Sequence, residues 1–321
     1  LRLQSFRSYK EKEFEFSEKT TLIVGPNTSG KTNLLEAIYL LATGKSFRAD
    51  LEQEMIDWES SLARVKSRVA KDQETIDLEI ILTKGEIGGE RVAKKKCFLN
   101  GVGKRMMDFV GNLRAVYFGP EDLDLITDSP SLRRKYLDLV LSQVDREYGR
   151  SSLSYEKGLR QRNKLLERIR EEGVSRSQLL FWNQLLIRNG QIVTQKRQEF
   201  IEFMSSRPLA DFNFRLIYDK SIISPARLSE YAEEEVAAGA TLVGPHRDDF
   251  SFQDEKRDLS VYGSRGEQRL AILWLKLGEL EFIAQKTDGR PILLLDDIFS
   301  ELDQEHRKLV LKVVPEQQTI I

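Results

Sequence analysis

The sequence has a single cysteine, two histidines and no long apolar run among its 321 residues. Because Cys97 has no second cysteine to pair with, an intrachain disulfide is excluded, and this usage suits a reducing cytosol. His246 and His306 are too few to form a histidine-based metal constellation. No segment approaches the ~20 apolar residues of a membrane-spanning helix, and the start is unlike a signal peptide. We therefore expect a cytoplasmic protein with no membrane association.

Charge of either sign is not in excess. Lys and Arg number 50 against 51 Asp and Glu, so the net charge is −1. The overall charge therefore gives no argument for nucleic-acid binding, which would have to depend on local patches. Because most runs of charged residues are solvated faces, the two local basic runs of this chain are candidates for DNA contact and no more than that. The best local patches for DNA phosphates are Lys94, Lys95, Lys96, Arg133 and Arg134.

The stretch "GPNTSGKTN" at residues 25–33 fits the phosphate-binding pattern G-x-x-x-x-G-K-[ST]. Glycines let backbone N–H groups point at phosphate oxygens, Lys31 supplies a mobile positive charge, and the Thr32 hydroxyl is a ligand for Mg²⁺. A β-branched run, "TTLIV", precedes the stretch, and "NLLEAIYLLATG" with helical spacing follows it, as the pattern requires. The predicted nucleotide-binding residues are Gly25, Pro26, Asn27, Thr28, Ser29, Gly30, Lys31, Thr32 and Asn33.

Two carboxylates follow the apolar run "ILLL" in "ILLLDDIFSELD". A continuous apolar run is typical of a central strand buried on both faces. In a P-loop NTPase one carboxylate at this place serves Mg²⁺ and a second polarises the attacking water. We assign Asp296 to the metal, and Asp297, with Lys31, to catalysis.

A second phosphate-type stretch, "GSRGEQR" at residues 263–269, opens the apolar helix "LAILWLKLGELEFIA". Backbone N–H groups at a helix start, a serine hydroxyl and a guanidinium all suit a phosphate. Since one chain needs only one such cradle for its own nucleotide, the second suggests a contact to the nucleotide of another copy.

The pattern along the chain predicts an α/β fold divided into two parts. Alternation in "LRLQSFRSYKEKEFEF" predicts an antiparallel strand pair, Ile76, Leu78, Ile80 and Leu82 predict one face of a strand, and "CFLNGVG" predicts a hairpin. Residues 1–118 therefore indicate a P-loop core with an added antiparallel sheet. Strands return after residue 205 in "FNFRLIYD", "ATLVG" and "RPILLLDD", so residues 206–321 are assigned to the same domain.

Residues 119–205 read as a helical insertion. "SPSLRRKYLDLVLSQV" predicts a helix with Ser131 as its cap, and helices over 151–172 and 176–204 follow, with Gly173 ending one and Ser175 starting the next. The simplest hairpin has Leu159, Leu166 and Ile169 facing Phe181, Leu185, Ile192 and Phe200. Such an insertion is either an arm that binds DNA or a partner, or an ordinary helical subdomain.

The order of these motifs resembles an ABC-type ATPase, with Walker A, a signature loop, Walker B and a D-loop. "FRSYKE", "FGPEDLDLI", "SLRRKYLD", "TLVGPHRDD" and the S-R-G form of the signature are similar to the RecF family of bacterial recombination mediators. The similarity covers nearly the whole chain, and "GPHRDD" and "SRGEQR" are its most specific pieces.

This resemblance implies an ATP-dependent DNA-binding protein of recombinational repair, replication-fork maintenance and the SOS response to DNA damage. Two copies would dimerise head to tail around two ATP molecules, clamp single-stranded, double-stranded or gapped DNA, and hydrolyse ATP slowly. With RecR- and RecO-type partners the dimer would promote loading of RecA. Ser264, Arg265, Gly266 and Glu267 would contact the partner's nucleotide, Asp303 would lie in the D-loop, and Arg7 near the nucleotide.

The sequence departs from the family pattern in three places. Thr28 stands where the family usually has glycine, no glutamine marks a Q-loop, and the sequence reaches "PEQQTII" where the family has a threonine-rich switch segment. Glu121 in "FGPEDL" is our candidate for the Q-loop position. In "GPHRDD" we expect a structural or interdomain hydrogen-bonding role for His246, and the roles of Arg247, Asp248 and Asp249 stay open.

Other classes of protein fit less well. An ABC transporter's nucleotide-binding subunit, the main alternative, would carry L-S-G-G-Q in place of S-R-G. The head of an SMC-type protein would need long heptad repeats between its halves, and a fused nuclease would need a separate acidic metal cluster.

Overall fold

The computed structural model of the protein describes residues 1–71, 74–207, 213–287 and 289–321. These residues divide into two units, the first formed by Leu1–Leu123 with Lys276–Ile321 and the second by Asp124–Leu275. The first unit is therefore built from both ends of the chain. In the described ranges, no helix combines the length and apolar character needed to cross a membrane.

The elements are numbered in chain order. The strands are β1 (Arg2–Phe6), β2 (Tyr9–Glu13), β3 (Thr20–Thr21), β4 (Leu62–Lys71), β5 (Glu74–Thr83), β6 (Glu86–Ile87), β7 (Glu90–Arg91), β8 (Lys95–Leu99), β9 (Val102–Lys104), β10 (Ala115–Phe118), β11 (Phe214–Asp219), β12 (Asp249–Asp254), β13 (Arg257–Asp258), β14 (Ile292–Leu295) and β15 (Thr319–Ile320). The α-helices are α1 (Lys31–Thr43), α2 (Met106–Phe109), α3 (Asp124–Thr127), α4 (Pro130–Val144), α5 (Arg146–Glu172), α6 (Leu179–Ser206), α7 (Pro225–Glu230), α8 (Ala232–Ala238), α9 (Leu259–Tyr262), α10 (Arg265–Thr287), α11 (Ile298–Glu301) and α12 (Gln304–Val313). Short 3₁₀ helices cover Glu52–Met55, Pro120–Leu123, Arg176–Gln178, Pro245–Arg247 and Val314–Glu316.

An antiparallel sheet in the first unit has the strand order β2-β1-β4-β5-β8-β9. The predicted pairing of the first two strands and the hairpin between β8 and β9 are confirmed. Asn100 and Gly101 turn that hairpin with φ of 51° and 76°, as two-residue turns of this kind require. In β5, Leu78, Ile80 and Leu82 are fully buried, so the alternation predicted the face that packs on the core.

A parallel sheet of order β10-β14-β15-β3 forms the rest of this unit's core. "ILLL" is the buried strand β14, as predicted, and Phe118 of β10 pairs with Leu295. The run "TTLIV" forms a strand only at Thr20–Thr21, which pair with the short β15. Beyond that ladder Val24 is 83% exposed, so the predicted strand is shorter than its apolar run.

Two long helices, α5 and α6, pack against each other in the second unit. The predicted hairpin is confirmed: α5 ends at Gly173, and Ser175 accepts a hydrogen bond from the Ser177 N–H at the start of the turn that leads into α6. The helix α5 starts earlier than predicted because the Asp145 carboxylate caps it at the Tyr148 N–H.

Three details of the sequence prediction for this part of the chain are wrong. Ser129, not Ser131, occupies the cap position of α4, because Pro130 begins the helix. Phe181 is not packed into the interface with α5, since it is 63% exposed. The segment "ATLVG" is not a strand, because its backbone N–H groups bond to side chains and not to a neighbouring strand. Asn163 accepts from the Thr241 N–H, and Glu235 accepts from the Leu242 N–H.

The second unit extends beyond the predicted insertion. β11 pairs with β12 and contacts α6, while α8 contacts α5. Residues 213–275 therefore group with the helices, whereas the sequence assigned 206–321 to the ATPase domain; Phe212 lies outside the described residues. The physical reason is that the pairing partners of β11 and the neighbours of α6 lie far along the chain.

Candidate nucleotide-binding site

Residues 22–30 connect β3 to α1, and together with the first turn of α1 they have the geometry of a phosphate cradle. Gly30 has φ of 95°, a left-handed conformation that favours glycine, and a β-carbon there would lie only 2.9 Å from the Tyr9 hydroxyl. The first-turn N–H groups of α1 have no partner within the helix and favour an anion. Thr28 has φ of 69°, which a β-branched residue rarely adopts. Its departure from glycine therefore places strain in the loop.

Lys31 lies over this loop. Its Nζ donates to the carbonyls of Gly25, at 2.8 Å, and Pro26, at 3.0 Å. These are weak partners for an ammonium group compared with phosphate oxygens. The side chain is therefore held where a phosphate can draw it away from the two carbonyls.

A cavity of about 580 Å³ brings the Walker A loop together with both carboxylates of the Walker B segment. Ligand pockets typically have volumes of about 300–1,000 Å³. Of the predicted residues, those that line the cavity are Asn27, Thr28, Gly30, Lys31, Thr32, Asn33, Asp296 and Asp297. Gly25, Pro26 and Ser29 complete the loop, where the Ser29 N–H donates to the Pro26 carbonyl.

Asp296 follows β14 directly, and its backbone N–H donates to the Phe118 carbonyl at 2.9 Å. The pKa of its carboxyl group is raised above the ordinary value, mainly by burial. The charges of Glu121 and Asp297 add to this increase, while hydrogen bonds from Thr32 and Tyr117 oppose it. A half-buried carboxylate close to two others favours a bound cation. Thr32 and Asp296 are hard oxygen donors of the kind that hold Mg²⁺ together with nucleotide phosphates. In the part of the chain described, no group of three or more acidic, histidine or cysteine side chains forms a metal site by itself.

Glu121 is connected to this site through Tyr117. The Tyr117 hydroxyl donates to Glu121 Oε2 at 2.8 Å and lies 3.4 Å from Asp296 Oδ2. The phenol ring is stacked on Phe47, with centroids 3.7 Å apart. The Q-loop candidate therefore lies one side chain away from Asp296, the carboxylate that the sequence assigns to Mg²⁺.

Arg7 is not among the residues that line this cavity, and its place near the nucleotide stays a prediction. Its guanidinium forms two hydrogen bonds to Glu36, of 2.7 and 2.8 Å, and one to the Glu54 carbonyl. Glu36 is fully buried and also pairs with Arg48. It is Arg48 that lines the cavity, where it also bonds to Asn33. Arg48 carries no sequence signal, because "KSFRAD" contains no motif. The one feature that implies an arginine partner is a buried glutamate on α1.

The signature stretch begins α10 in the second unit with a reciprocal cap. The Glu267 carboxylate accepts from the Ser264 N–H at 2.7 Å, and Ser264 Oγ accepts from the Glu267 N–H at 3.3 Å. This is the capping box of the S-x-x-E pattern. Ser264, Arg265 and Gly266 are exposed, so they are accessible to another molecule. Glu267 serves the cap, which gives it a structural role in addition to the predicted contact.

Asp303 of the D-loop caps α12. Its carboxylate accepts from the His306 N–H at 2.9 Å and lies 2.6 Å from His306 Nδ1. These hydrogen bonds lower its pKa. The aspartate remains exposed while it fixes the start of the helix.

Neither basic patch forms a continuous cationic surface. Lys95 is held by the Gly44 carbonyl and Glu52, at 2.9 and 2.8 Å, whereas Lys94 and Lys96 are exposed. Arg133 is buried and forms a two-point ion pair with Asp249. Arg134 donates to the Asp248 carbonyl. Arg133 is therefore held in the interior by an ion pair, while DNA contact by either arginine stays a prediction.

The "GPHRDD" stretch is a structural junction of the second unit. Asp248 is fully buried and accepts hydrogen bonds from Arg197, Tyr218 and the Ser221 N–H. His246 bonds to Tyr155 and Thr241, which supports the expected structural role. Arg247 is the exposed member.

His246 makes the second unit sensitive to acid. Tyr155 OH lies 2.8 Å from Nδ1, and Nε2 lies 3.0 Å from the Thr241 carbonyl, so the neutral ring donates from Nε2 and accepts at Nδ1. Burial is the main cause that lowers its pKa from 6.5 to about 4. Between these values the unfolded chain binds a proton that the folded chain does not, so stability is retained above pH 6.5 and falls as the pH decreases toward 4.

We expect this histidine to remove about 3 kcal/mol from the free energy of unfolding between pH 7 and pH 4. The measurement is urea denaturation across that range for the wild type and His246→Gln, whose side chain does not titrate. The variant should be less stable at pH 7 but should show a shallower decline. Parallel declines of the two proteins would contradict the assignment.

Three comparisons with known proteins agree. The family model described as RecF/RecN/SMC N terminal domain matches residues 1–321. The DNA replication and repair protein RecF of Herpetosiphon aurantiacus is 36% identical over 351 residues, which cover 100% of this chain and 91% of the relative. The protein of the same name from Lachnoclostridium phytofermentans is 35% identical, with the same coverage. A solved structure of the recombination mediator protein RecF-ATP in the RecFOR pathway matches with a TM-score of 0.91 and 32% identity, covering 100% of this chain and 90% of that one.

Proposed function

The chain belongs to the RecF family of DNA replication and repair proteins, and from this premise we propose that it is an ATP-dependent DNA-binding recombination mediator. Its fold is an ABC-type P-loop ATPase head with an added antiparallel sheet and an inserted, mostly helical second lobe. The observation that carries the proposal is the cavity that joins Lys31 and Thr32 to Asp296 and Asp297.

In this proposal the Walker A loop binds the ATP phosphates and Lys31 moves from its two carbonyl partners to the β- and γ-phosphates. Mg²⁺, held by Thr32 and Asp296, would neutralise phosphate charge. Asp297 orients and deprotonates the attacking water, as the second carboxylate of the pair. Hydrolysis is slow and serves to reset the protein.

In the proposed dimer, the exposed signature stretch of one copy contacts the nucleotide bound to the other copy. Ser264, Arg265 and Gly266 would reach the γ-phosphate of the partner copy in a head-to-tail dimer, with Asp303 of the D-loop nearby. The relatives are DNA replication and repair proteins, and one solved relative is named with the RecFOR pathway. On that basis the dimer would clamp gapped DNA in the cytoplasm and, with RecR- and RecO-type proteins, promote RecA loading. The comparisons give no support to a transporter subunit.

Sedimentation without nucleotide, with ADP and with ATP, each with and without a labelled gapped duplex, tests this proposal. ATP alone should produce a dimer, and that dimer should retain the duplex. A chain that stays monomeric with ATP and ignores DNA would overturn the clamp.

The role of the signature stretch is tested by Gly266→Gln. A side chain added at Gly266 has open space, since the nearest atom is Ser264 Oγ at 3.9 Å from the β-carbon. We expect normal ATP binding and loss of the ATP-dependent dimer, because the new side chain occupies the surface that faces the partner. Gly103→Gln, at an exposed glycine of β9 with similar free space, is the control and should dimerise as the wild type does. Dimerisation of Gly266→Gln at wild-type concentration would place the interface elsewhere.

A further inference from the structure

A groove of about 650 Å³ lies between α5 and α6 of the second unit. It is lined by Glu147 and Arg150 from α5, and by Phe181, Gln184 and Arg188 from α6. The residues from α6 recur every three or four positions, so they form one stripe along the helix. With a rise of 1.5 Å per residue, the stripe from Phe181 to the lining residue Ile192 is about 16 Å long.

The two arginines of the groove have no carboxylate within ion-pair distance in the described part of the chain. Other arginines of α5 differ: Arg160 pairs with Glu156 and Arg168 with Glu172. Arg150 and Arg188 are both exposed. Among the described residues that line the groove, the charged ones are the two arginines and one glutamate, Glu147. The groove therefore carries a net positive charge and is complementary to an anion.

Phe181 adds an apolar surface at the same place. Its side chain is 63% exposed, and its ring stands edge-on to Trp182 with centroids 4.9 Å apart. The amide of Gln184 lies one helical turn further on. Exposed aromatic rings beside cations and amides are the combination that binds single-stranded nucleic acid, because bases stack on the ring and phosphates meet the cations.

We propose that this groove binds a single strand of DNA, with Arg150 and Arg188 at phosphates and Phe181 against a base. The assignment rests on the proposed function, of which it locates one DNA contact. A duplex keeps its bases stacked inside and would leave the Phe181 ring without a partner. The single-stranded part of a gapped substrate is therefore the fitting occupant.

The test compares Arg150→Gln/Arg188→Gln with the wild type by fluorescence anisotropy. The probes are labelled oligothymidylate and a labelled gapped duplex, with ATP present, at several salt concentrations. We expect the affinity for oligothymidylate to fall about tenfold or more, and the slope of log K against log salt to become shallower by about 1.4, or 0.7 for each lost phosphate contact. ATP binding should be unchanged.

A matched control is Arg160→Gln/Arg168→Gln, which removes the same charge from exposed positions of α5. Because these arginines are already paired and lie outside the groove, the affinity should change by less than about twofold. Phe181→Ala should reduce the affinity about tenfold with an unchanged salt slope. Glu147→Gln should increase the affinity, since it removes the negative charge from the groove.

The outcomes separate the groove from the proposed function. If the wild type binds neither probe, the proposed function falls and the groove assignment falls with it. If the wild type binds DNA and the Arg150/Arg188 variant binds with equal affinity and slope, the groove is not the contact although the function stands. If the variant keeps its DNA affinity but loses a purified mediator protein, the groove is a protein-docking surface and the nucleic-acid assignment is overturned.

Discussion

Replacement of Asp297 by asparagine is expected to slow ATP hydrolysis at least about 100-fold, because the amide cannot accept the proton of the attacking water. Asp297 has φ of 50°, in a region of backbone conformation that asparagine also adopts readily. The loop should therefore keep its shape, and ATP binding should persist. The ATP-bound dimer should then accumulate, since its normal exit is blocked.

Single-turnover hydrolysis and sedimentation with ATP measure the two effects. Asp50→Asn, at an exposed aspartate of the same unit, should hydrolyse ATP at the wild-type rate. Asp296→Asn is expected to differ from Asp297→Asn in kind, because it should increase the Mg²⁺ concentration required. If turnover by Asp297→Asn equalled that of the wild type, the assignment of the base would be wrong.

The parts of the fold that the sequence predicts correctly depend on short stretches of chain. The alternation of Leu78, Ile80 and Leu82 places one face of β5 in the core, and the four apolar residues of β14 form a buried strand. The phosphate-binding loop is likewise specified by nine consecutive residues. In each case the physical cause, burial or a special backbone angle, acts within a few positions.

The failures occur where a polar group finds its partner far along the chain. "ATLVG" has the composition of a strand, but Asn163, Ser221 and Glu235 satisfy its N–H groups. A charge pattern cannot show this, since the partners lie up to 78 residues away.

The environments of Arg133 and Arg48 could not be predicted from the sequence for the same reason. In sequence, "RRK" indicates a solvated basic patch, but Asp249, 116 residues later, holds Arg133 in the interior. Conversely, Arg48 carries no sequence signal and lines the nucleotide cavity because Glu36 positions it. The sequence therefore predicts the phosphate-binding loop and the two carboxylates of the candidate site. It does not predict all of the side chains that support them, such as Arg48.

The largest expected effect on stability comes from Arg197→Met in the second unit. Arg197 is 4% exposed and donates to Asp248, to Asp138 and to the Pro245 carbonyl, at 3.0, 3.0 and 2.7 Å. Removing the guanidinium leaves the fully buried Asp248 carboxylate without a cation. Loss of one partner from a buried ion pair costs about 3–5 kcal/mol, so we expect the unfolding free energy to fall by that amount.

Urea denaturation followed by tryptophan fluorescence measures this loss. Trp182 and Trp274 lie in the second unit, and replacing the exposed Trp58 by phenylalanine removes the signal of the first. Arg160→Met is the matched control, because Arg160 is exposed and pairs with Glu156 one helical turn away. Its cost should be below about 0.5 kcal/mol. An equal cost for the two variants would contradict a structural role for the Arg197 network.

The double variant Arg197→Met/Asp248→Asn tests whether the uncompensated charge is the cause of the loss. An amide at position 248 needs no cation and still accepts from the Ser221 N–H. The free energy of unfolding of the double variant should therefore exceed, by about 1–3 kcal/mol, the value expected if the two single losses were added. Strictly additive losses would mean that Tyr218 and the Ser221 N–H stabilise the Asp248 charge by themselves. The buried motif would then depend on hydrogen bonds rather than on the pairing of charges between α6 and the "GPHRDD" segment.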